Sequence, residues 1–245
     1  MEERVKRLAG KYRVVMVEPL YPLNVGYVLR TMKNFGLEEL YLVNPRLDLE
    51  SRELRAFSAH AQDMVKEIRV VRELKEALKG VNYIVGTTGK GGGRYNVNRI
   101  PLSPSEFASN VSRLRGKVAI LLGREDIGLT NEELLLCDAL ITIPANPAYP
   151  ILNVSHAAAI IFYELFKTEI SPSSRRIHEP PRPEELRVFE KYLLELLREI
   201  KYPDYKVKIA HIIVRRVLGR AFVTRREMYA LLGILRKTLN RIKVP

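Results

Sequence analysis

A mainly parallel α/β sheet with helices on both faces, followed by a small all-α module, is the fold class this 245-residue sequence predicts. Three observations carry it. Short apolar runs rich in β-branched residues alternate with helical patterns up to about residue 170, which argues repeated strand–loop–helix units and a parallel sheet. The segment Ser171–Pro183 (SPSSRRIHEPPRP) then has no apolar period and ends in a proline cluster, as a linker does. Beyond it only helical spacing remains. The expected organisation is a domain at 1–170, a linker at 171–183 and a basic helical domain at 184–245.

Taken in order, Tyr12–Glu18 (YRVVMVE) reads as a buried strand stopped by Pro19. Asn24 is expected to open a helix with Val25, Val28, Leu29 and Met32 on one face, closed by Gly36 after Phe35. Leu40–Val43 is a second strand, Ser51–Lys66 is helical, Ile68–Val71 a short strand, and Arg72–Leu78 a helix ended by Gly80. Val81–Val85 is a further buried strand. Ser103-Pro104-Ser105-Glu106 forms a capping box with proline at the first helical position, and the strand Val118–Leu122 follows. Thr130-x-x-Glu133 caps the next helix. From Leu140 to Phe166 a strand joins a helix through a loop whose Pro144, Pro147 and Pro150 each restrict their own φ and the residue before them. Asn153 stands at the N-cap of that helix, which is expected to be buried on all sides because Val154, Ala157, Ala158, Ile161 and Leu165 recur with almost no charge between them. Such a stiff loop is either a plain structural turn or a place to hold a small molecule by main-chain hydrogen bonds. In the tail, Leu186, Phe189, Leu193, Leu196, Leu197 and Ile200 mark one helix and Ile209, Ile212, Ile213 and Val217 a second. A third, capped by Thr224-x-x-Glu227, carries Met228, Leu231, Leu232, Leu235, Leu239 and Ile242. Arg215, Arg216, Arg220, Arg225, Arg226, Arg236, Lys237 and Arg241 are assigned to the outer faces.

With 47% apolar residues the chain can build a substantial core. The single Cys137 excludes a disulfide framework within the chain and suits a reducing compartment. No apolar run has the length of a membrane span, and the start lacks the apolar centre of a signal peptide, so a cytoplasmic protein without membrane or metal partners is expected. The net charge is +13, and residues 206–245 hold 11 Lys and Arg against 1 acidic residue, so +10 of it lies in the tail. A thermophile's solvated surface would mix its signs; the tail does not, which favours nucleic acid as its partner.

The run Gly86-Thr87-Thr88-Gly89-Lys90-Gly91-Gly92-Gly93-Arg94 invites a nucleotide-binding reading, but its spacing fits neither the dinucleotide fingerprint nor the P-loop. It remains a cationic loop after a strand, as a linker or as a lid over a site. Ligands of parallel sheets collect at the carboxyl ends of strands, so loops 87–94, 123–128 and 144–152 are the ones to watch.

Those loops carry a pattern. Asn24-Val25-Gly26-x-x-x-Arg30, Leu122-Gly123-Arg124-Glu125-x-x-Gly128-Leu129 and Ile143-Pro144-x-Asn146-Pro147-x-Tyr149-x-x-Leu152-Asn153 resemble, in this order, the three signature motifs of the SPOUT methyltransferases, and most nearly the TrmJ family of tRNA 2'-O-ribose methyltransferases. The resemblance implies a C-terminal trefoil knot in the catalytic domain, S-adenosylmethionine as methyl donor, and a homodimer with its active site at the interface. It implies that Thr87, Thr88, Gly89, Gly123, Ile143, Pro150, Ile151 and Leu152 line the donor through backbone groups, with Asn153 closing the pocket. Many relatives have Ser where Ile151 stands, so a hydroxyl contact is lost there. Arg30 matches the catalytic arginine. A guanidinium hardly ever gives up its proton, so the expected role is to orient the ribose hydroxyl and stabilise the developing alkoxide, with Asn24 and Glu125 holding Arg30. His156 is expected to be a satisfied core histidine rather than a base. Arg94 and Arg124, and in the tail Arg215, Arg216, Arg225 and Arg226, are assigned to RNA. The target implied is a ribose at position 32 of the tRNA anticodon loop, on cytidine or also uridine. The alternatives are a ribosomal RNA target, or a catalytically idle RNA-binding protein that keeps the fold.

Overall fold

The computed structural model describes residues 2–89, 101–170 and 179–243. Arg94 and most of the expected linker lie outside the described residues. A first helix, α1 (Glu2–Lys11), leads into strand β1 (Tyr12–Val17). Then follow α2 (Pro22–Asn34), β2 (Glu39–Val43), α3 (Arg52–Ser58), a 3-10 turn at Ala59–Ala61, α4 (Gln62–Val65), β3 (Arg69–Val71), α5 (Leu74–Ala77) and β4 (Tyr83–Thr87). Next come α6 (Pro104–Val111), β5 (Val118–Leu122), α7 (Asn131–Leu135), β6 (Ala139–Ile141) and α8 (Val154–Ile170), and then three helices, α9 (Pro183–Glu199), α10 (Asp204–Arg220) and α11 (Arg225–Lys243).

The six strands form one sheet in the order β3-β2-β1-β5-β4-β6, and every pairing is parallel. Strands in such a sheet are covered on both faces, and β1 is buried at all six positions. Alternate residues feed two cores. Tyr12, Val14 and Met16 join Val28, Leu29, Phe107, Phe162 and Leu165 on the side of α2, α6 and α8. Val15 and Val17 join Ala77, Leu134 and Cys137 on the other.

Two local differences from the sequence reading have clear causes. α2 begins at Pro22, not Asn24: Tyr21 is the N-cap and the proline occupies the first turn, where its missing N–H costs nothing. Asn24 is thereby freed from capping. α1 had no cap signal to announce it, and is held by Leu8, fully buried, and by Val5, whose Cγ1 would lie 2.7 Å from a Cβ at Gly36.

The strand order puts β5, β4 and β6 side by side, so the loops leaving their carboxyl ends are neighbours. α10 packs against the opposite, amino ends of β4 and β6. Tyr83 Oη donates to the carbonyl of Gly219 at 2.7 Å, and its ring stacks on Phe222 with centroids 5.1 Å apart. An apolar cavity, lined among others by Leu186, Phe189, Val214 and Phe222, lies at this junction rather than at the loops.

Candidate active site

The loop after β4 is tied to its neighbours through its threonines. Thr87 Oγ1 donates to Leu121 O at 2.9 Å, Thr88 N to Ile141 O at 3.0 Å, and Thr142 Oγ1 to Thr88 O at 2.8 Å. Gly89 lies against Ile151, whose Cγ1 would be 3.3 Å from an added Cβ. The loop after β5 turns back on itself, with Gly128 N donating to Arg124 O at 2.9 Å. A Cβ on Gly123 would sit 2.3 Å from the carbonyl carbon of Gly128, so only glycine fits this turn. Thr87, Thr88, Gly89, Gly123 and Ile151 are therefore gathered in one place. Pro150 and the aromatic ring of Tyr149 are exposed on the proline loop, the latter 82%.

Across this cradle the three motifs are joined by one chain of side-chain hydrogen bonds. Glu125 accepts from Leu20 N at 3.1 Å, from Tyr21 N at 3.4 Å and from Asn24 Nδ2 at 2.9 Å. Asn24 Oδ1 in turn accepts from Asn153 Nδ2 at 3.1 Å, and Asn153 Oδ1 accepts from Ser155 N at 2.8 Å and Ser155 Oγ at 2.7 Å. The direction of every bond is fixed. A carboxylate can only accept, so Asn24 must turn its amide nitrogen to Glu125; a backbone N–H can only donate, so Asn153 must turn its oxygen to Ser155. Asn24 is 2% exposed, and its two polar ends are both satisfied. Asn153 caps α8 as its sequence position predicts.

Arg30 is not part of that chain. Its guanidinium is exposed, 5.9 Å above the ring of Tyr27, and among the described residues it has no hydrogen-bond or ion-pair partner. The expectation that Asn24 and Glu125 hold Arg30 is thus corrected: Glu125 is committed to Asn24 and to the backbone before α2, while Arg30 faces outward two turns further along. His156 is corrected as well, from core to exposed. α8 keeps its apolar stripe inside but shows His156, Ile160, Tyr163 and Lys167 to the outside, so it is not buried all round.

The model of the SpoU rRNA methylase family matches residues 11–163, which is more than half of the chain and includes all three motifs. The chain belongs to the SpoU methylase family. Among similar proteins, the tRNA (cytidine-2'-O-)-methyltransferase TrmJ of Methanocaldococcus jannaschii is 32% identical over 90% of this chain and 96% of its own. The tRNA (cytidine/uridine-2'-O-)-methyltransferase TrmJ of Pectobacterium atrosepticum is 34% identical over 91% and 94%. Of solved structures, TrmJ from Z. mobilis ZM4 superimposes with a TM-score of 0.68 at 26% identity, over 92% of this chain and 98% of that one.

In this SpoU methylase several arginines assigned to RNA are occupied elsewhere. Arg124 lies between two carboxylates, with Glu133 taking its two terminal nitrogens at 3.0 Å each and Glu18 at 3.1 Å, which raises its pKa still further; its side chain is 12% exposed. It braces the β5 loop. Arg216 is buried, 4% exposed, and donates to the carbonyl of Leu134. Arg215 reaches Asp138 and Leu136 O at 3.3 and 3.1 Å. Arg225 pairs with Glu179 at 2.8 Å. The assignment of Arg124, Arg215 and Arg216 to RNA is therefore corrected, and their long stems cover apolar surface between packed elements. Arg226 stays exposed and, among the described residues, without an internal partner, as do Arg236, Lys237 and Arg241 on the same helix. Ser155, Thr142 and Asp138 went unread. Asp138 had a signal: a carboxylate embedded in the apolar run Cys137–Ile143 has to be paired. Among the described residues no cluster of His, Cys, Asp and Glu could hold a metal ion, and no helix is long and apolar enough to cross a membrane.

Proposed function

We propose that this SpoU methylase is a cytoplasmic enzyme that transfers a methyl group from S-adenosylmethionine to a ribose 2'-hydroxyl of tRNA, at the cytidine, and also uridine, of position 32 in the anticodon loop. The observation that carries the reading is the hydrogen-bond chain from Glu125 through Asn24 to Asn153, which joins all three motifs beside the strand-end loops. The relatives named above support tRNA as substrate.

The loops suit the donor. Among the described residues the backbone groups of Ile143, Ile151 and Leu152 have no internal hydrogen-bond partner, although the chain there is rigid. Such groups are open to a ligand, and one with an adenine edge and an amino-acid end could take several of them. Thr87, Thr88, Gly89, Gly123, Ile143, Pro150, Ile151 and Leu152 would hold it. S-adenosylmethionine, when bound, supplies a methyl group activated by its sulfonium. What remains for the protein is to position the ribose and favour loss of its proton. Asn153, locked by Asn24 and Ser155, bounds the pocket on the α8 side. Arg30 carries a permanent positive charge on the outer face, suited to orient a ribose hydroxyl and its phosphate and to stabilise the alkoxide as it forms.

A homodimer is part of this reading, as is the knotted topology of the family. Tyr27 on α2 and Ile160 and Tyr163 on α8 are exposed apolar side chains, with Tyr163 49% exposed. The proposed dimer seats a second copy on this face of α2 and α8, with Arg30 acting at the partner's loops. Arg226, Arg236, Lys237 and Arg241 of α11 are exposed cations placed to meet phosphates.

The test is incubation with labelled S-adenosylmethionine and total tRNA, with ribosomal RNA in parallel, and mapping of 2'-O-methylated nucleosides by mass spectrometry. Methylation of tRNA at position 32 is expected. Label in ribosomal RNA alone, or in neither, would overturn the proposal.

A further inference from the structure

Asp138 is a buried carboxylate that the proposed chemistry does not use. It stands immediately before β6, where its backbone amide donates to Ile84 O at 2.7 Å and its Oδ2 accepts from Ile84 N at 2.8 Å, stitching β6 to β4. Its Oδ1 is turned the other way, to Arg215 Nη2 of α10 at 3.3 Å. Arg215 and Arg216 also take the carbonyls of Leu136 and Leu134 at the end of α7. From the β4 side, Tyr83 is bonded to Gly219 and stacked on Phe222. The approach of the helix is as close as backbones allow: a Cβ on Gly219 would lie 2.0 Å from Asp138 O. An isolated appendage for holding RNA would need none of this.

The elements gripped are the ones that deliver the donor loops. β4 runs from Tyr83 to Thr87 and hands on to Thr88 and Gly89; β6 runs from Ala139 to Ile141 and hands on to Thr142, Ile143 and the proline loop. At about 3.3 Å per residue the grip lies only about 10–15 Å from those loops, across strands that do not stretch. A shift of α10 is therefore passed along β4 and β6 as a shift of the cradle.

We propose that Asp138 is a positioning residue for methyl transfer: it fastens α10 to β4 and β6, so that the seating of the C-terminal helices sets the geometry of the donor loops. The inference rests on the reading of those loops as the S-adenosylmethionine site. It makes the helical tail a part of the donor site as well as a handle for RNA.

Asp138→Asn keeps an oxygen for Ile84 N but turns an NH2 toward the guanidinium, which also only donates. Arg215→Gln removes the guanidinium, and in the double variant the Gln carbonyl can accept from the new Asn amide. Gly219→Ala drives the helix off by steric contact alone. The measurement is calorimetric titration of each full-length variant with S-adenosylmethionine in the absence of tRNA, accompanied by thermal melting and by KM for donor and tRNA separately. Donor affinity is expected to fall about 5-fold or more in Asp138→Asn, Arg215→Gln and Gly219→Ala. Asp138→Asn combined with Arg215→Gln is expected to recover most of the loss. Unchanged donor affinity in the folded variants, with only the KM for tRNA raised, would overturn the inference. If Gly219→Ala does not fold, Arg215→Gln decides by the same readout. Failure of the unsubstituted protein to bind the donor would instead refute the assignment of the loops.

Discussion

Replacing Glu125 by Gln tests the chain of hydrogen bonds that joins the motifs. The carboxylate accepts three bonds, from Leu20 N, Tyr21 N and Asn24 Nδ2. Gln keeps one acceptor and turns an NH2 against a donor. If the NH2 faces Asn24, that amide can flip to offer its oxygen, but its nitrogen then meets Asn153 Nδ2. A flip of Asn153 brings its nitrogen against Ser155 N, which cannot flip. If the NH2 faces Leu20, the clash is with a backbone amide at once. Every arrangement loses at least one bond to a charged acceptor in a half-buried site, worth about 2 kcal/mol. For a chain of this length that lowers Tm by about 4–8 °C. Were the whole cost to fall on the reacting geometry it would slow methyl transfer about 30-fold. Circular dichroism melting and initial rates with labelled donor measure both. A variant melting within about 1 °C of the parent and methylating at full rate would refute the argument that this chain is pinned at both ends.

Arg30→Ala is expected to leave donor binding within about 2-fold by calorimetry while lowering kcat about 10²–10³-fold, since the role proposed for Arg30 is toward the ribose and its developing alkoxide rather than toward the donor. Arg226→Ala, Lys237→Ala and Arg241→Ala combined should weaken tRNA binding and reduce the slope of log affinity against log salt by about 2 to 3, read by filter binding across a salt series. Burial of Glu39 works against its charge, but hydrogen bonds from Lys117 and Arg13 outweigh it and hold the carboxyl below its ordinary 4.5. That stabilisation is present above 4.5 and is lost as the pH falls through the lower folded value, so Glu39→Gln should flatten the acid side of a plot of Tm against pH. Burial pushes the Cys137 thiol up to about 12, so an alkylating reagent at pH 8 should label it only after unfolding, as mass spectrometry would show.

What could be read from the chain alone follows the range of the forces involved. Strands such as Val118–Leu122 announce themselves because a parallel sheet buries both faces, and capping boxes at Ser103, Thr130 and Thr224 involve residues three apart. The motif loops were legible for the same local reason: Gly123 must be glycine in its turn. The partner of Glu125 was not, because the choice between Asn24 and Arg30, both on α2, depends on which face of that helix meets the β5 loop. The arginines of α10 misled for a related reason. Helical periodicity separates the stripe that packs inside the tail from the rest, but Arg215 and Arg216 lie on a second face that α7 and β6 cover. His156 shows the converse, a polar residue in an apolar stretch that marks the open side of α8.

The sheet order also governs how the chain must assemble. β1 pairs with β5, Tyr12 opposite Val118 and Met16 opposite Leu122, so this edge of β1 stays unpaired until synthesis has passed β5. At about 5–20 residues per second that is a wait on the order of ten seconds for a ribbon reading Val14-Val15-Met16-Val17. Closing a pairing between strands so far apart in the chain is slow, and until it closes the edge of an apolar ribbon stays open to pairing with other strands.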